Sequence, residues 1–193
     1  MNKTNRLWLF RILGFAAIVL LVLSFVLPWW STDILVLGLV DAMIMHPYGV
    51  EQYLGDMVTF VEPYLPPIWL TYIAYAYAAL AVAALLASLF IKKEQGRLLM
   101  GVVGISFVLY ILVATGYLKF TLDQFDMGIT GYSYVDATQG FPYHTGLISR
   151  FLPGFYVAWV AAIWTCLLAY FRYKITGESK TEAALPGQQL AEA

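Results

Sequence analysis

Four long apolar runs alternate with polar connections along this chain, and each run has the length of a membrane span. They cover about residues 12–30, 68–91, 98–118 and 151–170, and each meets the roughly 20 residues that a helix needs to cross about 30 Å of hydrocarbon. Pro66 and Pro67 open the second run, where a missing N–H costs little at a helix start. The first is preceded by Lys3, Arg6 and Arg11 and ends in Pro28, Trp29 and Trp30. A basic start with an apolar middle also describes a secretory signal, but this run is long and its end is bulky, so an uncleaved anchor is expected.

The connection over residues 31–65 is too long for a bare link between neighbouring helices. Its first part, Ile34 to Met45, is apolar apart from Asp41 and too short to span. That pattern fits a buried strand pair turning near Gly38 or a short helix dipping into the interface. Farther on, Val50, Tyr53, Leu54, Met57, Val58 and Val61 recur at helical spacing, which predicts an amphipathic helix over residues 49–61. Tyr53, Met57 and Phe60 on it are candidate partner contacts. The connection over residues 119–150 is rich in glycine and tyrosine. Tyr132-Ser133-Tyr134-Val135 has strand character, and with Gly131 before it and Gln139-Gly140 after it a small β-hairpin is expected. Tyrosine among glycine and serine is the composition of adaptable recognition surfaces, so Tyr132 and Tyr134 are further partner candidates.

Composition agrees with the pattern. Hydrophobic residues make up 61% of the 193, the mean hydropathy is +0.74 and only 12% are charged, against roughly a quarter in globular domains. The expected fold is an all-α integral membrane protein, a single four-helix transmembrane domain over residues 1–175 with two structured extracytoplasmic loops. The polar stretch over residues 176–193 has no apolar period and is expected to be disordered.

Charge sets the orientation. With the amino terminus taken as cytoplasmic, nine of the eleven basic residues fall inside, and only Lys119 and Arg150 lie outside. Eight of the twelve acids fall outside. The bias of the basic residues places both termini in the cytoplasm, as a multi-pass protein of the cell membrane.

Little here points to chemistry. Arg11 is the only charge near an embedded position, and its stem is long enough to carry the head to water. Pumps, proton-coupled transporters and voltage sensors need buried ionisable groups, and no histidine lies in a span to supply a haem ligand pair. Cys166 is the sole cysteine, which excludes an intrachain disulfide. No phosphate loop, zinc spacing or nucleophile elbow is present, so an enzyme is the less favoured reading. No basic patch suggests nucleic acid.

Two candidate sites remain. Met43, Met45 and His46 stand beside Asp41, with His144 in the second loop; thioether with imidazole suits copper, Cu(I) above all. Trp69, Tyr72 and Tyr75 lie at a depth matching Tyr156 and Trp159. Such rings belong to an interfacial belt, or line a pocket for a quinone or a lipid headgroup. Small residues offer close packing faces: Ala79, Ala83 and Ala87; Gly101, Gly104 and Ser106; Ala158, Ala161, Ala162 and Thr165.

Four spans with both termini inside, a longer first outer loop and tryptophan just after span one resemble claudin-like tetraspan proteins in outline. Trp29 and Trp30 are not followed by that family's Gly-Leu-Trp and paired-cysteine pattern, so the resemblance is one of topology and implies no function. The leading functional expectation is a non-catalytic subunit or organiser of a membrane complex. It would act through its outer loops on other membrane-protein subunits or a second copy. The alternatives are a copper-type redox or metal-handling protein, or a lipid- or quinone-binding one.

Overall fold

The computed structural model describes residues 3–35, 39–52, 67–91, 93–135 and 145–176. Four helices, α1 (Lys3–Val26), α2 (Ile68–Phe90), α3 (Lys93–Asp123) and α4 (Pro153–Thr176), are each long and apolar enough to cross a membrane. They run up, down, up and down, and each packs on its neighbours in the order α1, α2, α3, α4 and back to α1. In that ring α1 faces α3 and α2 faces α4 across the diagonals.

Helix ends differ from the expected spans for local reasons. Pro28 has no N–H to continue α1 and disfavours the helical conformation at Leu27, so α1 stops at Val26 and Trp30 opens a strand instead of closing a span. At the other end of the chain, α4 starts at Pro153, and Phe151 belongs to a strand. The end of α3 is closed by a Schellman motif: Met127 N–H donates to the Leu122 carbonyl at 3.0 Å and Asp126 N–H to the Asp123 carbonyl at 3.3 Å. Asp126 takes the left-handed position that this motif requires, with φ of 54°.

The bundle core holds Phe10, Leu21, Leu85, Met100, Phe107 and Ile111. Ala158, Ala161, Ala162 and Thr165 are buried as expected and let α4 approach its neighbours closely. The alanine strip on α2 is a correction. Ala79 and Ala83 face outward, and α2 instead buries Ala74, Ala81, Leu85, Ser88 and Leu89. Ala74, Ala81 and Ser88 recur every seven residues, which tracks a bundle seam more closely than a strip at intervals of four.

The all-α expectation is corrected too. The molecule is mostly helical, but a five-stranded antiparallel sheet sits at the end of the bundle where α1 finishes and α4 begins. Its strands are β1 (Trp30–Ile34), β2 (Leu39–His46), β3 (Gly49–Gln52), β4 (Gly131–Val135) and β5 (Thr145–Phe151), in the order β3-β2-β1-β5-β4. Of the two alternatives for residues 34–45 the strand pair is the one adopted, β1 pairing antiparallel with β2 as far as Ile34↔Leu39, and the turn expected near Gly38 lies outside the described residues. Gly49 to Gln52 form β3 rather than the start of an amphipathic helix, because they pair with β2 from Met43↔Gln52 to His46↔Gly49. The rest of that expected helix, residues 53–61, lies outside the described residues. Tyr132 to Val135 form a strand as expected, and β4 pairs with β5; the Gln139-Gly140 turn and the tail beyond Thr176 lie outside the described residues.

Candidate functional site

Trp29 and Trp30 join the two layers. Side chains of successive extended residues point to opposite sides, and here the two sides are two separate cores. Trp29 enters the bundle core, donates from Nε1 to the Ser24 carbonyl at 2.7 Å and meets Tyr110 and Phe155 edge-on. Trp30 enters the core between sheet and α3 with Leu118, Leu122, Phe125 and Met127, and its Nε1 donates to the Ile129 carbonyl at 2.7 Å. Both indoles are buried, at 2% and 1% exposure, and both N–H groups are satisfied, as buried indoles require. The backbone of Trp29 ties in β2 and the start of α4, accepting from Leu152 N–H at 2.9 Å and donating to the Met45 carbonyl at 2.7 Å.

One face of the sheet is therefore covered, and the other is open over β4 and β5, while Ser31 of β1 on that second face is buried. Trp30, Ile34, Ser133, Leu147 and Ser149 are buried. On the other face Tyr132 is 63% and Tyr134 58% exposed, next to exposed Ile148 and Leu35. Tyr132 pairs with Ile148 and Tyr134 with Gly146. At the centre of this face Arg150 of β5 donates to Asp33 of β1, with N···O distances of 2.8 and 3.4 Å, the two-pronged geometry that fixes a guanidinium. The other basic residue on this side, Lys119, is paired with Asp123 at 2.7 Å.

A cavity of about 330 Å³ lies under the β2–β3 turn, between α2 and α3. Below it, Tyr77 of α2 and Tyr110 of α3 stack at 5.1 Å and Tyr77 shares a hydrogen bond with Ser106. Above it, the Tyr110 hydroxyl donates to the Pro47 carbonyl and so pins the turn to the bundle. Met43, Met45 and His46 all border this cavity. His46 lies 3.7 Å from Glu51 and stacks on Tyr48 at 4.9 Å; Tyr48 in turn stacks on Tyr75 at 5.1 Å. Burial pushes the Tyr48 phenol above its ordinary value, and the nearby Glu51 and Tyr75 add to the shift.

Of the expected metal candidates, Met43, Met45 and His46 thus come to one wall, and His144 lies outside the described residues. Among the described residues no three His, Cys, Asp or Glu side chains gather as a metal site. The aromatic candidates fall into two sets. Trp69, Tyr72 and Tyr75 project from α2 and Tyr156 from α4, all exposed, while Trp159 is half-buried against Phe155. The helices carrying them are diagonal in the bundle, and no ring contact joins the two sets among the described residues. Of the partner candidates, Tyr132 and Tyr134 lie on the open sheet face, and Tyr53, Met57 and Phe60 lie outside the described residues.

One functional-looking residue escapes the sequence pattern of spans. Arg172, only 5% exposed, sits where all four helices meet at the end away from the sheet. It donates to the Ser88 carbonyl at 2.9 Å and the Ile91 carbonyl at 3.2 Å, and its guanidinium lies over the Phe10 ring at 5.0 Å. Gly96 of α3 leaves it room, since a Cβ there would stand 2.3 Å from Nη1. The signal was present: Ala158, Ala161, Thr165, Leu168 and Arg172 continue one buried stripe at helical spacing. Comparison with protein families, with curated proteins and with solved structures finds no match to this chain.

Proposed function

We propose that this chain is a non-catalytic multi-pass protein of the cell membrane that serves as a subunit or organiser of a membrane complex. Both termini lie in the cytoplasm, and the sheet faces outward to meet other membrane-protein subunits or a second copy. The observation that carries the reading is the open sheet face. Solvated faces of antiparallel sheets are usually polar, yet this one presents Tyr132, Tyr134, Ile148 and Leu35 around a fixed Arg150–Asp33 pair. Tyrosine is among the residues that dominate binding energy at interfaces, and a rigid aromatic ring loses little entropy on docking. The sheet is held to the bundle by Trp29, Trp30 and Tyr110, so a partner would meet a pre-formed surface.

The test is the mass of the assembly. Extracted from its own membranes in mild detergent, the chain should appear by native mass spectrometry in a complex of fixed stoichiometry. Tyr132→Ser with Tyr134→Ser should reduce it to the 21.6 kDa chain. A monomer before substitution would refute the reading.

A further inference from the structure

We infer that the cavity between α2, α3 and the β2–β3 turn binds the hydrocarbon chain of a bilayer lipid. At about 330 Å³ it lies at the lower end of the roughly 300–1,000 Å³ of ligand pockets, which suits one slender chain better than a bulky ring system. Its walls are nearly all carbon and sulfur: Met43 and Met45 from the sheet, Leu70 and Ala74 from α2, Ala114 and Leu118 from α3. Apolar voids of this kind hold apolar guests and leave water out.

The mouth identifies the source of the guest. Ile73 and Val113 border the cavity, yet they are 53% and 71% exposed on the outer surface of helices long and apolar enough to span. The cavity therefore opens sideways, between α2 and α3, onto the surface that lipid chains cover. The fold builds it from a mismatch. The two helices are held together by the Tyr77–Tyr110 stack, and beyond that level small residues, Ala74 and Ala114, face the gap while the Pro47–Gly49 turn roofs it. His46 supplies one polar edge at the roof. Its buried Nδ1 has no hydrogen-bond partner among the described residues, and as an N–H it would donate to a phosphate or ester oxygen of a lipid entering there. This inference concerns a different surface from the open sheet face, and either can fail alone.

The test uses the full chain reconstituted in phosphatidylcholine vesicles doped with a phosphatidylcholine that carries a diazirine on one acyl chain. After irradiation, adducts should concentrate several-fold on Met43, Met45, Ala114, Leu118 and Leu122 over the lipid-facing Leu80, Val102 and Val160. Ala114→Phe, which fills the cavity, should abolish that excess, and Leu109→Phe on the outer surface should leave it intact. Should Ala114→Phe fail to fold, the competing measurement is dilution: excess unlabelled lipid removes surface adducts in proportion and cavity adducts more slowly. Labelling spread evenly over all outward residues, or an excess that survives Ala114→Phe in a folded protein, overturns the inference.

Discussion

Arg172 Nη1 lies 2.9 Å from the carbonyl oxygen of Ser88, joining α4 to α2 across the diagonal of the bundle. The last carbonyls of a helix have no partner within it and carry the negative end of its dipole. Arg172 serves the end of α2 in this way, a planar fork reaching Ser88 and Ile91 together. Arg172→Met keeps the stem but leaves those carbonyls without their donor, and should cost about 1–3 kcal/mol. Arg172→Lys keeps the charge and loses the fork, so it should cost on the order of 1 kcal/mol. Thermal unfolding in detergent checks both values, and equal losses would mean that the retained charge contributes nothing without the fork.

Adjacent tryptophans should fail in different ways. Trp29→Ala opens a hole in the bundle and Trp30→Ala one beneath the sheet, each at about 3–5 kcal/mol. Because the two cores are separate, Trp30→Ala should expose the sheet to limited proteolysis at Tyr132 and Tyr134 while helical circular dichroism is retained. Trp29→Ala should lower the midpoint of helix unfolding itself. Identical proteolysis and unfolding profiles for the two variants would mean that sheet and bundle form a single cooperative unit.

Orientation has its own measurement. In a Cys166→Ala background, a membrane-impermeant maleimide applied to intact cells should label Tyr134→Cys and spare Lys174→Cys, which should react only after permeabilisation. The reverse pattern would invert every assignment of inside and outside.

The four long helices were legible because their signal is local: about twenty apolar residues in a row mark a helix of membrane-spanning length with no knowledge of neighbours. The sheet was only half legible. Alternation marked Tyr132 to Val135, and the apolar run from Ile34 admitted a strand pair, but the central pairing joins Asp33 to Ile148 across more than a hundred residues. Nothing in either stretch specifies the other. Gly49 to Gln52 read as helix because Val50 begins a helical period, and pairing with β2 overrode it. The same holds for the candidate site. Tyr132 and Tyr134 stood out by type, whereas the cavity has walls from three separate stretches and was invisible. Arg172 was hidden by its company, since a basic residue just beyond a span normally marks the solvated side.

On the function proposed above, the open sheet face meets a specific partner. The deciding measurement places a photocrosslinking amino acid at Tyr134 in cells, with a second chain carrying it at outward-facing Val102 as control. One discrete adduct is expected from position 134, of constant mass between preparations, that the Tyr132→Ser change weakens and that position 102 does not give. A ladder of unrelated adducts, or the same products from both positions, would contradict it.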